Sequence, residues 1–475
     1  MTRSRKSFPL TPSRRAVLGG LSAFAVSAAL PKAAFAATPG SDVAKYKIDL
    51  GGYNGPALTD RDITLKFMRQ DFPPAVNALF DAAYAEFMAA YPNIRIEEER
   101  VPYGDLSRKV QIYVGSQSAP DVMMGRNDFA SAYAAGQFAA PLQDYLADEF
   151  LADMYEPLLD SATIDGNVVC LPWVTNPMFL YFNRDIFAAA GVETPPETFD
   201  VDAGWTIDEF VDALKRITEA LRQKGDSDTF ALAASTAGGG GPGSNYTQIE
   251  SIWIRTQGDP ASDEVSSLYR TFAGVSPDGL TASGYLDTDE AIAGMTLYQS
   301  LFKLGLTPEG AAPDQFVGGA AATTFGNMNI SNRFKNEPAP FAWGVTSMPR
   351  ARVAFTCSVA DSPFVYANSP NVPEAAALLA FICNDKNRNT FNAAWGSMPA
   401  RKSLVEADPS YQAEPANRMA AATAARAYGP PKTAGWFDYF NAANTAVKDI
   451  ALGADPATRL HDAAAQIDKL LAKYK

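Results

Sequence analysis

Side chains that could perform proton transfer or nucleophilic attack are scarce in this chain. His461 is the only histidine, and it lies in a polar stretch with helical spacing near the C-terminus. Ser-His-Asp and Cys-His hydrolases, and most metal hydrolases, need an imidazole for proton transfer or metal ligation. The sequence therefore disfavours these classes, and we expect His461 to be a solvated surface residue.

Paired carboxylates offer another route to hydrolysis. Glu97, Glu98 and Glu99 are consecutive in a predicted strand, so neighbouring side chains point to opposite faces and cannot act on one substrate. Asp128 and Asp361 form the one pair that could flank a glycosidic bond. A glycosidase or lyase therefore remains an alternative.

The cysteines and the glycine-rich stretch give no sign of a cofactor or metal. Cys170, Cys357 and Cys383 are too few and too scattered for a disulfide framework or a zinc site, so buried free thiols are favoured over a single bridge. Residues 238–243 lack the spaced Gly-Lys-Ser/Thr signature of a phosphate-binding loop. We expect no cofactor and no bound metal.

Three polar residues follow a short apolar run at 121–124, which is typical of a buried strand. They are Arg126, Asn127 and Asp128, and in a parallel sheet such positions lie at the carboxyl edge, where ligands bind. The alternative is that they cap the helix predicted to begin at Asp128.

The elements around these residues alternate between strands and helices. Apolar spacing predicts strands at 63–68, 94–101 and 121–124 with helices at 75–91 and 105–115, the pattern of a parallel sheet covered by helices. Further elements are predicted at 179–182, 206–223, 287–303, 321–324, 372–383, 442–452 and 460–474. About 440 residues after the N-terminal segment exceed what one core usually supports, so two domains are expected.

Residues 1–36 have the features of a twin-arginine signal peptide. Six basic and no acidic residues, an apolar run at 16–30 behind Arg14 and Arg15, and a small-residue end at Ala36 predict export and cleavage. Cleavage leaves 34 Lys+Arg against 53 Asp+Glu, so the formal net charge changes from −13 to −19. This negative charge disfavours nucleic acid and anionic membranes as partners, because both are bound through neutralisation of their phosphates. No cysteine follows the cleavage site, so a free periplasmic protein is expected.

Several motifs occur in a recognisable order. One continuous block runs from Asp165-Gly166-Asn167 through Tyr181-Phe182-Asn183-Arg184 to Phe187 and is followed by Ala190-Gly191-Val192. Other motifs lie at residues 85–94, 101–103, 118–122, 135–142, 325–327, 343–345, 368–370 and 395–403. With these motifs the chain resembles the bacterial extracellular solute-binding proteins that serve sugar-type ABC importers, over nearly its whole length after residue 36.

The resemblance implies an α/β fold of the periplasmic-binding-protein type II class, with two α/β lobes joined by a hinge and a ligand cleft between them. Lobe one would comprise residues 60–172 plus 355–403, and lobe two residues 173–354 plus 404–475. The implied function is non-catalytic capture of a small solute, which a monomeric protein would deliver to the permease subunits of the importer.

The resemblance also suggests which residues face the cleft. Trp173 and Asn176 lie beside the predicted hinge, and Asp361 would face the second lobe from the first. The remaining candidates are Tyr246, Trp253, Phe325, Asn327 and Trp395. Core packing remains an alternative for Tyr246 and Trp253, which follow the glycine-rich stretch.

Flat aromatic rings and planar amides or carboxylates favour a carbohydrate as the solute. The alternative is a polar non-sugar such as a glycerol phosphate, for which Arg126 or Arg333 would supply positive charge. Segments 358–362 and 236–243 depart from the family pattern where its members line the cleft. The sequence alone does not identify the solute.

Replacing both Arg14 and Arg15 with Lys is predicted to prevent export, because the twin-arginine address depends on the guanidinium pair. We expect folded protein to accumulate in the cytoplasm, measured by immunoblotting of periplasmic and cytoplasmic fractions. Replacing Lys6 with Arg is the matched control and should leave export unchanged. Normal periplasmic levels of the Lys-Lys variant would contradict the predicted route.

Overall fold

The computed structural model describes residues 38–40, 45–116, 118–233, 242, 246–310 and 314–475. The predicted signal peptide and most of the glycine-rich stretch 238–243 lie outside these residues. Within the described part, no helix is long and apolar enough to cross a bilayer. The same residues contain no group of His, Cys, Asp or Glu side chains that could hold a metal ion.

The strands, in chain order, are β1 Ile63–Gln70, β2 Ile94–Val101, β3 Val122–Met123, β4 Thr163–Ile164, β5 Asn167–Val168, β6 Val174–Thr175, β7 Phe179–Asn183, β8 Phe230–Leu232, β9 Ala321–Gly326, β10 Trp343–Thr346, β11 Ala360–Asp361, β12 Phe364–Val365 and β13 Met398–Pro399. The helices are α1 Pro74–Ala90, α2 Tyr103–Ser116, α3 Ala130–Ala135, α4 Asp148–Ala152, α5 Glu156–Ala162, α6 Arg184–Ala190, α7 Ile207–Gln223, α8 Ser251–Arg255, α9 Ser267–Ala273, α10 Asp289–Lys303, α11 Met328–Asn336, α12 Val372–Ile382, α13 Asp385–Trp395, α14 Lys402–Ala407, α15 Ser410–Ala413, α16 Pro415–Arg426, α17 Trp436–Ala451 and α18 Pro456–Leu471. A π-helical turn, Tyr246–Glu250, leads into α8.

The first four-stranded sheet has the order β12-β3-β1-β2. Its centre is the parallel pair β1 and β2, which are in register from Ile63 opposite Ile94 to Gln70 opposite Val101. Strand β3 is also parallel to β1, whereas β12 joins antiparallel from much later in the chain. The strand-helix alternation predicted for residues 63–124 is therefore confirmed.

The second four-stranded sheet has the order β10-β7-β9-β8. Strand β7 is buried along its whole length and runs antiparallel to both of its neighbours, while β8 and β9 are parallel. This region therefore forms a mixed sheet. Trp343 at the start of β10 packs against Tyr181 and Phe334, with ring centroids 5.9 and 5.5 Å away.

A small three-stranded sheet has β6 at its centre, with β11 and β13 antiparallel on either side. Its strands come from three distant parts of the chain. Strand β6 precedes β7 of the second sheet by a few residues, and β11 precedes β12 of the first sheet in the same way. The chain therefore passes between the two large sheets through this small sheet.

Local sequence explains where several helices begin and end. Thr206 and Glu209 form a reciprocal capping box at the start of α7, and Gly191 ends α6 in the left-handed conformation. Helix α17 begins at Trp436, earlier than the predicted residue 442, because Trp436 and Tyr439 are fully buried and belong to its core-facing side. Trp436 and Tyr439 thus pack as core.

All three cysteines are buried free thiols. Burial raises the pKa of the Cys383 thiol to about 11, so it stays protonated near neutral pH. His461 is exposed and its Nδ1 lies 2.8 Å from a carboxylate oxygen of Asp287. These placements agree with the structural roles expected from the sequence.

Replacing Gly344 with Ala is predicted to lower the free energy of unfolding by about 1–3 kcal/mol, the usual cost of overpacking a core. A Cβ there would lie 2.3 Å from the ring of Phe182, which is itself fully buried and cannot move aside. Urea denaturation followed by circular dichroism measures the change. In the control Gly310→Ala the new Cβ meets nothing within 4 Å, so a change within about 0.5 kcal/mol is expected. Equal stability of both variants would contradict this packing.

Candidate functional site

A cavity of about 370 Å³ lies where the two large sheets end near the three-stranded sheet. Gln70 is the last residue of β1, and Phe325 with Gly326 ends β9. Asp361 of β11 and Trp395 at the end of α13 complete its frame. Its lining residues are Gln70, Tyr103, Asn176, Met178, Gln248, Phe325, Gly326, Asn327, Asn329, Ile330, Val359, Asp361 and Trp395. We call this cavity the cleft.

Planar amides are the most common polar groups of the cleft. They belong to Gln70, Asn176, Gln248, Asn327 and Asn329. Each amide offers two N–H donors and a carbonyl acceptor in one plane, which suits neighbouring hydroxyls that both donate and accept. The cleft is therefore equipped to bind a neutral polyhydroxylated molecule.

Asn327 shows how the backbone positions one of these amides. It precedes α11, and its side-chain oxygen accepts a hydrogen bond from the backbone N–H of Asn329 at 3.0 Å. Its backbone carbonyl also accepts a bond from the hydroxyl of Tyr181 at 2.9 Å. These two bonds fix the residue, while no described residue accepts a bond from its Nδ2. That donor remains available to a ligand.

Aromatic side chains form the flat surfaces of the cleft. Trp395 is half-buried, and its ring packs edge-on against Phe72 with centroids 5.2 Å apart. Tyr103 is 46% exposed at the start of α2, and Phe325 packs against Phe210 beneath the cleft. A half-buried ring that lines a cleft can stack on the C–H face of a ligand. Trp395 is the best platform of the three.

Charge beside the cleft is concentrated in three side chains. Arg126 donates two hydrogen bonds to Asp128, at 2.9 and 2.7 Å, and Thr247 donates a longer one of 3.3 Å to the same carboxylate. Burial opposes the charge on Arg126, but the nearby carboxylates and Tyr103 raise its pKa above the ordinary value. Burial likewise raises the pKa of Asp128, which Arg126 opposes. The pair is a neutralised unit.

Asp361 differs from Asp128 because no described residue donates a hydrogen bond to its carboxylate. No described Lys or Arg nitrogen lies within 4.0 Å of it either, although its residue is only 8% exposed. Burial raises its pKa to about 6, with Arg126 opposing and Asp128 reinforcing the shift. Asp361 is therefore a carboxylate of the cleft that lacks a partner.

Asn127 is buried beside the cleft but does not line it. Its amide nitrogen donates to the hydroxyl of Ser161 and to the carbonyl of Ser358 at 2.9 Å, and its oxygen accepts from Ala360 N–H at 2.7 Å. Both ends of the amide are thus used to hold the chain before β11. The Asn127 amide therefore holds the backbone in place and is not free to make the ligand contact that the sequence predicted.

Trp173 is also placed in the core instead of the cleft. It is 2% exposed and packs against Phe80 and Phe391, with ring centroids 5.9 and 5.8 Å away. The guanidinium of Arg388 lies 4.6 Å from its ring. The prediction missed this because a tryptophan after a buried strand has the same sequence signal in either place.

Tyr246 and Trp253 lie in the core below the second sheet. Tyr246 packs against Tyr439, and burial raises its pKa to about 12. Trp253 is 1% exposed and packs against Tyr298 and Phe325. Both residues therefore pack in the core, which was the alternative to ligand contact, and neither lines the cleft. Ser362, the residue after Asp361, is fully buried, and its hydroxyl donates a hydrogen bond to the carbonyl of Ala360.

Eight cleft residues were not among the predicted contacts. They are Gln70, Tyr103, Met178, Gln248, Gly326, Asn329, Ile330 and Val359. The rule that polar side chains at the carboxyl ends of parallel strands face a ligand would have found Gln70, since it ends β1. Gln248 lies in a π-helical turn, a feature frequent at functional sites but without a sequence signature.

Larger cavities occur elsewhere on the molecule. One of about 650 Å³ is bordered by residues such as Gln137, Asp165 and Lys432, and another of about 540 Å³ lies beside Glu97 and Tyr113. Neither lies at the carboxyl ends of both large sheets, and neither combines several amides with a tryptophan. The smaller cleft is therefore the better candidate for a ligand site.

Comparison with known proteins agrees with this geometry. Residues 70–389 match the model of the family described as "Bacterial extracellular solute-binding protein". A binding protein of Brucella abortus is 26% identical over 407 residues, which cover 83% of this chain and 90% of that protein. This chain belongs to the bacterial extracellular solute-binding protein family.

Solved structures of similar shape define the fold. The cyclic alpha-maltosyl-1,6-maltose binding protein from Arthrobacter globiformis superposes with a TM-score of 0.67 and 20% identity, over 86% of this chain and 99% of that one. The sugar-binding protein MalE from Xanthomonas citri gives a TM-score of 0.67 at 16% identity, over 86% and 98% of the two chains. The fold is that of the type II periplasmic binding proteins, as the sequence motifs predicted.

Replacing Asn127 with Ala is predicted to lower the free energy of unfolding by at least about 2 kcal/mol, because it leaves buried partners at Ser358 and Ala360 unsatisfied. Urea denaturation provides the measurement. The control Asn167→Ala removes an exposed asparagine and should change stability by less than about 0.5 kcal/mol. A fully stable Asn127→Ala variant that loses ligand affinity would restore Asn127 as a contact residue.

Proposed function

We propose that this protein captures a carbohydrate outside the cytoplasm, without catalysis, and delivers it to the permease of an ABC importer. The observation that carries the proposal is the cleft itself, where several planar amides surround a half-buried tryptophan. Amides pair with hydroxyls, and the tryptophan face stacks on the C–H face of a pyranose. Its volume of about 370 Å³ suits a small ligand.

The charge of the cleft favours a carbohydrate over a glycerol phosphate. Arg333 is exposed on α11 and pairs with Asp314, so it is not a cleft residue. Arg126 is held by both oxygens of Asp128. Asp361 would repel a phosphate, because it is the charged residue among those that line the cleft. The similar structures described above are those of sugar-binding proteins, which supports the same class.

The contacts of Asp128 also disfavour a glycosidase. Hydrolysis of a glycosidic bond requires two carboxyl groups that can reach the substrate, one of them as an acid. Asp128 has a fully buried side chain bound by Arg126 and Thr247, and it does not line the cleft. Asp361 alone cannot act as both of the carboxyl groups that hydrolysis requires, so we propose that the protein binds its ligand without catalysis.

We propose that the three-stranded sheet is the hinge and that the lobes follow the boundaries 60–172 plus 355–403 and 173–354 plus 404–475. Each large sheet takes its strands from one of these sets. Cleft residues come from both sets, for example Gln70 and Asn327. Rotation about the small sheet would close the lobes on a ligand.

The place of action is proposed from the N-terminal sequence and the family. Residues 1–36 would direct export to the periplasm and be cleaved near Ala36, and the family is described as extracellular. A monomer that meets the membrane permease subunits is the simplest assembly.

Sugar binding is testable with a thermal-shift screen of mono- and disaccharides, followed by calorimetric titration of those that stabilise the protein. A ligand at a hundredfold excess over its dissociation constant adds about 2.7 kcal/mol to stability. No shift with any sugar, together with a clear shift from glycerol 3-phosphate, would contradict the carbohydrate proposal. Release of products from oligosaccharides would contradict the non-catalytic one.

Replacing Trp395 with Ala is predicted to weaken affinity for such a sugar at least about tenfold, equivalent to 1.4 kcal/mol, through loss of the stacking face. The control Trp205→Ala removes another half-buried tryptophan, one that packs against Phe187 and does not line the cleft. Calorimetry should give the control an affinity within about twofold of the parent. Equal affinities for all three proteins would exclude Trp395 as a platform.

A further inference from the structure

The carboxylate of Asp361 is the charged group that lines the cleft, and it requires hydrogen-bond donors. Its residue is 8% exposed, and no described residue donates a hydrogen bond to it. Its oxygens are not sealed from solvent, so water can meet the requirement while the cleft is open. A ligand that displaces this water must supply donors in its place, and a strong donor would therefore gain affinity.

The neighbouring charges do not meet that requirement. Arg126 is committed to Asp128 through both carboxylate oxygens, and those two charges cancel. The described surroundings of the cleft are therefore left with about one negative charge, carried by Asp361. When the lobes close, the cleft loses water and this charge becomes harder to accommodate.

A hydroxyl and a protonated amine would meet the carboxylate differently. A hydroxyl donates one hydrogen bond to the carboxylate and leaves the negative charge in place. An ammonium group offers three donors, forms a hydrogen bond in which both partners are charged, and also neutralises the site. An N-acylated amine brings no charge and adds a bulky group at the same position.

We propose that the ligand is an amino sugar whose free, protonated amine binds the Asp361 carboxylate. This inference rests on the proposed carbohydrate-binding function and narrows it to one substrate class. Trp395 would stack on the same ligand, and the amides of Asn327 and Asn176 would bind its hydroxyls. The amine is the feature that distinguishes this ligand from neutral sugars.

Matched sugars that differ only at one substituent test the proposal. Calorimetric titrations at pH 7 compare glucosamine, galactosamine and mannosamine with glucose, galactose and mannose, respectively. A second set compares the glucosamine disaccharide chitobiose with its hydroxyl counterpart cellobiose and its acetylated counterpart N,N′-diacetylchitobiose. In at least one matched set the free amine should bind at least about tenfold more tightly than its hydroxyl counterpart and, for chitobiose, than its acetamido counterpart as well. A neutral or acetylated sugar that binds as tightly as its amine in every set overturns the inference and leaves carbohydrate binding intact. Absence of binding by every sugar overturns both.

The variant Asp361→Asn removes the charge and keeps the shape. It should lower the affinity for the preferred amino sugar at least about tenfold and change the affinity for the hydroxyl counterpart less than about threefold. The control Asp314→Asn makes the same isosteric change at an exposed carboxylate outside the cleft and should leave both affinities unchanged. Equal losses for the two sugars in Asp361→Asn would overturn the role of the amine. A melting temperature at or above that of the parent shows that Asp361→Asn is folded.

The pH dependence supplies a second readout. Asp361 has a raised pKa of about 6, and the charged or titratable groups that act on it are Arg126 and Asp128. Tyr103, which lines the same cleft, also acts on this group of charges. As pH falls from 7 to 5, Asp361 gains a proton and loses its attraction for an ammonium, so amine affinity should fall. In Asp361→Asn this fall should be absent; its persistence there would assign the effect to another group and contradict the proposal.

Discussion

A polar group buried at the centre of a protein needs a partner, and this requirement organises the region between the two large sheets. Asn127 satisfies this requirement through hydrogen bonds with Ser161, Ser358 and Ala360, and these bonds fix the segment that leads into β11. Asp128 meets it with two bonds from Arg126. Asp361, on β11 itself, is placed by these neighbours but has no described donor of its own. The same network that fixes the site thus leaves one carboxylate for a ligand.

The aromatic side of the cleft depends on a different kind of packing. Trp395 is held edge-on by Phe72, which stacks on Phe80, and Phe80 packs in turn against Trp173 and Phe391. Two buried guanidiniums cover the cluster, since Arg69 lies 4.0 Å from the Phe80 ring and Arg388 lies 4.4 Å from that of Phe391. Cation–π contact offsets part of the cost of burying these charges. Burial still lowers the pKa of Arg388 to about 10. A rigid cluster of this kind gives the ligand a preformed stacking face.

Much of the fold could be predicted from the sequence, because apolar spacing reports directly on which face of a helix or strand is buried. The first sheet and helices such as α7 and α10 were located in this way, and the ordered motifs identified the fold class.

The site was harder to predict. Asn327, Asn176, Phe325, Asp361 and Trp395 line the cleft, whereas Asn127, Trp173, Tyr246 and Trp253 are buried in protein contacts and Arg126 is held by Asp128 beside it. The position of a residue in the sequence predicts that it lies near a strand end. It does not predict the hydrogen-bond partners of the side chain, because these come from distant segments, as when the Asn127 oxygen accepts a bond from Ala360 N–H. Those partners decide whether an amide is free.

The central claim is that the cleft between the ends of β1 and β9, and not a larger cavity, holds the ligand. Hydrogen–deuterium exchange measured with and without a saturating sugar from the thermal-shift screen tests this most directly. The account predicts slower exchange in peptides covering 324–331 and 359–362, with no change in peptides covering 131–139 and 432–434 beside the 650 Å³ cavity. Protection confined to the latter peptides would contradict it and move the site to that cavity.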